Sequence, residues 1–295
     1  MPPRNIRNFL IIACTVALVC SVRGQPTAHY PPGIHGLNAA TLPGPGFYLR
    51  DYNLFYTSDR LNNSTGDRSG PANFEAFTYA NVLRPIWITD VEVLSGYLGT
   101  DVVIPLVDRQ LRSGTFDSST FGLGDVCAEG TLSWHTGPWD GTIGAGEWLP
   151  TGDSAARPTT RPGLGYWTTM LTLGAIWYID NSKTWSVSAL NRYEINGEGR
   201  NTHTTTGDAW TLEWGLGKAL TKFVYIGAAG YYQAKVTGDR GDHPQPRNRV
   251  AAVGPELTLA LRPQGLTVSL RYDYEFEAES RAQGHTVVLA LTKQL

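Results

Sequence analysis

The sequence predicts an all-β chain closed into a transmembrane up-and-down barrel of about twelve antiparallel strands. Two observations predict it: strand-length segments in which apolar residues alternate with small or charged ones, and connectors that switch between long and short. Composition agrees, since 33 glycines, 14 tyrosines and 9 tryptophans with only 17% charged residues make a chain rich in strand-favouring aromatics and poor in helix formers.

The chain opens with Arg4 and Arg7, an apolar run from Phe9 to Cys20, and small or polar residues up to Gly24. This is the layout of a secretory signal, with Val22 and Gly24 placed for cleavage before Gln25. Residues 1–24 are therefore expected to be a signal peptide. No later apolar stretch reaches the ~18 to 20 residues that a spanning helix needs. With Cys14 and Cys20 in the signal, Cys127 is left as a single thiol that cannot form an internal disulfide, and it reads as a small buried residue. Next comes a Pro/Gly-rich stretch, residues 25–46, with too few apolar residues to fold alone. It is expected to be a periplasmic lead or a plug that threads the lumen, where His29, Tyr30 and His35 would meet inward charges.

From residue 47 to 295 the pattern is that of the barrel itself. Alternation is faultless from Leu266 to Phe276, where Leu266, Val268, Leu270, Tyr272, Tyr274 and Phe276 oppose Thr267, Ser269, Arg271, Asp273 and Glu275. Trp210, Leu212, Trp214 and Leu216 likewise oppose Thr211, Glu213, Gly215 and Gly217. Strands are expected near 47–57, 73–88, 91–104, 121–134, 139–149, 165–179, 184–195, 208–220, 223–236, 249–261, 265–277 and 284–295. The connectors near 58–72, 105–120, 150–164, 196–207, 237–248 and 278–283 are long and polar. Those near 89–90, 135–138, 180–183, 221–222 and 262–264 are tight. Short periplasmic turns and longer external loops are the rhythm of an outer-membrane barrel, and a sandwich predicts no such rhythm.

Alternation alone does not say which face is wet. A barrel this wide holds a lumen rather than a packed apolar core, so the charged face is expected inside and the aromatic face in lipid. Rings gather near the short turns (Trp87, Trp134, Trp139, Trp177, Tyr178, Trp185) and near the long loops (Tyr56, Trp148, Tyr166, Trp167, Tyr193, Tyr274), as two interfacial girdles would. Lys293, on the lipid face of the last strand, can extend its amine to water.

The order of motifs is also informative: PGPGFY (Pro43 to Tyr48), YTSDRLN (Tyr56 to Asn62), GLGD (Gly122 to Asp125), SWH (Ser133 to His135) and LPTGD (Leu149 to Asp153), then GAAGYYQ (Gly227 to Gln233), GDRG (Gly238 to Gly241), VGPE (Val253 to Glu256) and RYDYEFE (Arg271 to Glu277). This set resembles the family described as the meta-pathway of phenol degradation, often labelled simply as transporters. The resemblance implies an outer-membrane barrel associated with passive uptake of small hydrophobic or aromatic compounds, with the bilayer and such solutes as its partners. The chain departs from the family pattern at Cys127, in the Arg/Thr-rich stretch after PTGD, and in ending on Leu295 rather than an aromatic.

The candidate pore-lining residues are Asp125, Glu129, Glu147, Arg192, Glu213, Lys235, Glu256, Arg271, Asp273 and Glu275. Carrying both signs, they would either line a channel and tune its selectivity or pair to fill a closed barrel whose external loops do the work. Sequence leaves both readings open, with a soluble sandwich third. A net charge of −2 offers no field for nucleic acid. Catalysis and cofactors are not expected. Ser133 and His135 share a face with Asp125 and Glu129, but same-face neighbours stand about 7 Å apart, beyond the reach of a base to its nucleophile. Asp239, Asp242 and His243 lack the spacing of a calcium loop.

Overall fold

A computed structural model describes residues 27–154, 160–200, 202–242 and 244–295. The expected signal segment lies outside these residues, as does His243. The wall strands are β1 (Gly46–Leu61), β2 (Glu75–Val93), β3 (Gly96–Ser113), β4a (Phe116–Leu123) with β4b (Val126–His135), β5 (Trp139–Leu149) and β6 (Thr168–Tyr178). They continue with β7 (Trp185–Asn196), β8 (Ala209–Ala219), β9 (Val224–Lys235), β10 (Arg249–Leu261), β11 (Leu266–Glu279) and β12 (Ala282–Gln294). Each pairs antiparallel with the next, and β1 pairs both with β2 and with β12, so the ring is closed through β4b, while β4a pairs with β3 alone. The pieces β4a and β4b both pair with β3 and count as one wall strand, interrupted at Gly124 and Asp125. The twelve-stranded, up-and-down barrel is thus the fold.

The direction of the faces follows from neighbouring residues. On β11, Leu270 is 51% exposed and Tyr272 40%, whereas Arg271 is 3% exposed and Asp273 0%. A soluble sandwich would show the reverse, and this orientation excludes it. Trp87, Trp139, Trp177 and Trp185 are exposed at the end of the short turns, and Trp167 and Tyr274 at the other. Outward Lys293 donates to the Gln264 carbonyl in the periplasmic turn, which takes its charge out of the apolar band.

Three expectations need correction. The first tight turn falls at Leu94 and Ser95 rather than at 89–90, with φ of 50° and 62°. Two left-handed residues give the twist that a two-residue hairpin requires, though neither is of the type that adopts it cheaply. Replacing Leu94–Ser95 by Asn–Gly is expected to raise stability by about 1–2 kcal/mol, read as a higher urea midpoint at unchanged slope. The expected loop at 105–120 is instead strand, since β3 runs on to Ser113 and β4a returns from Phe116. Its charges misled: Asp108 and Arg112 alternate with inward Val107 and Leu111, a period-two pattern outside the bilayer. The connector expected at 278–283 shrinks to Ser280 and Arg281, with Ser280 left-handed at φ 53°. The connectors 62–74, 150–167, 197–208 and 236–248 remain long.

At the opposite end, the Asp180 carboxylate accepts backbone N–H groups of Trp185 and Thr184 and the Thr184 hydroxyl. The Trp185 N–H leads the set that holds its pKa below the usual Asp value. The turn's cap is complete above the ordinary Asp value and is lost as pH falls through the lowered one.

Candidate functional site

Residues 27–45 form no wall strand and run down the inside of the ring. Thr27 sits at the external end, where Arg281 donates to its hydroxyl (2.8 Å). Leu42 reaches the periplasmic end and packs on Ile86 and Ile88. A stretch without a ladder must satisfy its backbone otherwise, and here wall carboxylates do it. Glu194 accepts from the Tyr30 N–H (3.1 Å), Glu213 from the His35 N–H (3.3 Å) and the Tyr30 hydroxyl (2.6 Å), and Glu256 from the Leu37 N–H (3.0 Å). Pro31 and Pro32 carry no N–H to satisfy. Gly36 permits the approach to β10, because a Cβ there would lie 1.7 Å from Glu256 Oε2. Gly215 similarly leaves a slot for Leu37, whose Cα would be 2.9 Å from an added Cβ.

Nine of the ten predicted lining residues face the lumen or are buried within it, in distinct groups. Glu129 and Arg192 meet Arg84 and Asp101. Arg84 donates to both Asp101 oxygens (2.8 and 2.7 Å), to Glu129 (3.2 Å) and contacts His35 Nε2 (3.2 Å). Thr172 donates to Glu129 (2.5 Å), and Arg192 lies 4.4 Å over the Tyr30 ring. Arg271 bridges Glu256 (3.2 Å) and Asp273 (2.9 Å) in a second group. Glu275 accepts from Tyr231 (3.0 Å) and Tyr56 (3.1 Å), and Lys235 pairs with Asp239 (2.7 Å). Asp125 turns inward at the break in β4 and meets His29 at 3.0 Å.

Glu147 is the exception. On β5 it alternates with Trp148, which is 3% exposed, and it shares the outward face with Ile143 at 45%. Glu147 accepts from the Thr169 hydroxyl (2.8 Å), one strand-face step from the Trp167 girdle. Trp148, expected in that girdle, instead stacks on His29 at 5.5 Å between ring centres, and Tyr166 also lies inside against His29. Tyr56 turns inward to Glu275. The luminal segment inverts the reading here, since it gives an inward tryptophan an aromatic partner. A cysteine at 147 is expected to react with a lipid-partitioning maleimide and a cysteine at 148 to stay unlabelled; equal labelling would refute this phase.

Sequence reasoning missed Arg84, Asp101, Glu194 and Asp140, all buried. The signal for Arg84 was available: a lone guanidinium between Leu83 and Pro85, in the otherwise apolar run Val82 to Ile88, cannot face lipid cheaply. Ser133 is buried, and His135 meets Asp140 at 3.4 Å, so the two are not paired. Among the described residues no group of His, Cys, Asp and Glu is arranged to hold a metal ion.

The segment leaves two adjoining cavities along the inner face of β1 to β3. The inner one, about 130 Å³, is lined by Tyr52, Leu54, Val82, Val107 and Trp148 among others. The outer one, about 210 Å³, shares Leu54, Thr78 and Arg109 with it and reaches Phe74 and Arg281. His35, Arg84 and Arg192 close the inner cavity on the periplasmic side, and beyond them lies a space of about 20 Å³. That is room for a single water.

An apolar belt facing outward, a closed ring and a polar, partly hollow lumen define an outer-membrane β-barrel. The family model described as "Putative MetA-pathway of phenol degradation" matches residues 58–291, and the chain belongs to that family. Among solved structures it is similar to an outer-membrane channel of Pseudomonas putida F1, with TM-score 0.78 and 12% identity over 90% of this chain and 100% of that one. It is also similar to the β domain of the Bordetella autotransporter BrkA, with TM-score 0.53 and 12% identity over 86% and 100%. No curated protein matches the chain.

Proposed function

We propose that the barrel admits small hydrophobic or aromatic solutes passively across the outer membrane, entering the two cavities from outside and held at the His35, Arg84 and Arg192 constriction. The observation that carries this is an apolar, ring-lined path inside a wall whose other luminal groups are charged. The family description, which points to phenol degradation, supports the same solute class. In this reading residues 1–24 are the export signal, 25–46 the plug and 47–295 the barrel, and the paired charges serve to hold the plug and bound the path. Catalysis plays no part in it. The sealed barrel acting through its external loops is the weaker reading, because such a barrel needs no apolar chamber.

Single-channel conductance of the refolded protein in a planar bilayer tests it. Ion steps that phenol blocks from the external side are expected, and Val107→Trp, which fills the inner cavity, should abolish the phenol block. Steps indifferent to phenol would overturn the proposal.

A further inference from the structure

We infer that the inner cavity selects one-ring aromatics bearing a carboxylate over neutral hydrocarbons of the same size, an inference that rests on the uptake reading above. Size sets the first limit. About 130 Å³ is close to the ~150 Å³ apolar cavity that accommodates benzene, so one ring fits and two do not. Leu54, Ala80, Val82 and Val107 supply the apolar wall, with Tyr52 and Trp148 as ring neighbours.

The polar lining is one-sided. Asp125 is the carboxylate among the described lining residues, and its oxygens are already occupied by His29 Nε2 (3.0 Å) and the N–H groups of Gly152 (2.9 Å) and Leu164 (2.6 Å). Arg84 is matched by Asp101 and Glu129. Arg109, by contrast, donates to the Arg161 carbonyl (3.1 Å), and no carboxylate lies within ion-pair distance of it among the described residues. Arg192, 5% exposed, has Glu129 3.6 Å from one terminal nitrogen but keeps an unpartnered Nε. The chamber therefore holds guanidinium donors in surplus and no vacant carboxylate among the described lining residues. Unmatched donors are costly away from water, and a carboxylate presents the paired oxygens that a guanidinium fork takes. A neutral ring leaves the donors unmet, and a cationic one meets three guanidinium groups. Arg109 lines both cavities, so a solute entering from the external side passes it on the way to the aromatic wall.

Isothermal titration of the refolded full-length barrel with benzoate, toluene and benzylammonium tests this at neutral pH. Benzoate is expected to bind about tenfold more tightly than either of the others, the size of one charge-assisted hydrogen bond. Arg109→Met should lower benzoate to the toluene level and leave toluene unchanged, with Arg109→Lys between. Benzoate no tighter than toluene, or indifferent to Arg109→Met, overturns the inference while toluene binding upholds the uptake reading. If none of the three binds or alters conductance, both fail. Should Arg109→Met not fold, the three ligands on the unaltered chain decide.

Discussion

Arg84→Leu is expected to destabilise the barrel by about 3–5 kcal/mol, because it leaves Asp101 without its guanidinium and Glu129 with Arg192 alone. All four side chains are buried, so water cannot take over the lost contacts. The loss should appear as a lower urea midpoint and as earlier unfolding in heat-modifiability gels. Arg84→Leu with Asp101→Leu should recover a substantial part of it, since an apolar pair of similar volume removes the uncompensated carboxylate along with its partner. A single variant as stable as the parent would mean that these charges are hydrated, and that the constriction is wetter than its geometry implies. The same variant removes the group facing His35 Nε2, so a higher ion conductance should accompany the lower stability.

Deleting residues 27–41 is expected to convert sparse conductance into sustained open steps. The wall does not depend on the segment for its ladders, because β1 begins at Gly46 and pairs along its length with β2 and β12. What the segment supplies is matter in the lumen and donors for Asp125, Glu194, Glu213 and Glu256. Without it those carboxylates face water, which hydrates them, so the deletion should open the lumen and leave a folded barrel. Gly36→Val is a milder version: the added side chain collides with Glu256 and Arg271 and should lift the middle of the segment. If the deleted barrel inserts yet stays silent, the paired charges alone seal it, and the segment is not what blocks flow.

Much of the fold was legible because a lipid-facing strand must be apolar on one side along its whole bilayer-spanning length. β11 showed that requirement without interruption and β8 with Lys218 as its one break, and together they set the strand period and the inward set around Arg271 and Glu213. Legibility failed where the physical constraint changes. Outside the bilayer the wall continues as β3 and β4a with charges on its outer face, so the composition that marks a loop elsewhere belongs there to a strand. Inside the barrel the rule that rings face lipid lapses, because residues 27–45 bring an aromatic and apolar surface of their own. Trp148, Tyr166 and Tyr56 turn toward it, and Glu147 takes the outward place that Trp148 vacates. Alternation gave neither Arg84 nor Asp101, because the runs beside them, Val82 to Ile88 and Val102 to Val107, are otherwise apolar on both faces; only the cost of a guanidinium in lipid pointed to Arg84. The charged lumen was thus readable, and so was its meeting with His29, Tyr30 and His35 should the segment thread it; which charge meets which of the three was not, since that depends on the path a strandless segment takes.

The closed ring and its occupied lumen together impose an order on assembly. Residues 27–45 lead directly into β1, and β1 is also the strand on which the last strand, β12, seals the barrel. Once that seam is made, a continuous ring of strand pairs runs from β1 through β4b to β12 and the segment has no lateral way in. It must lie across the half-formed sheet while the seam is open, or be threaded end first from the periplasmic mouth with Thr27 leading. A compact domain fused ahead of Thr27 could not pass the second way. Such a fusion separates the two routes by topology alone, for it assembles with a filled lumen when the wall wraps around its passenger and with an empty one when the passenger must be threaded.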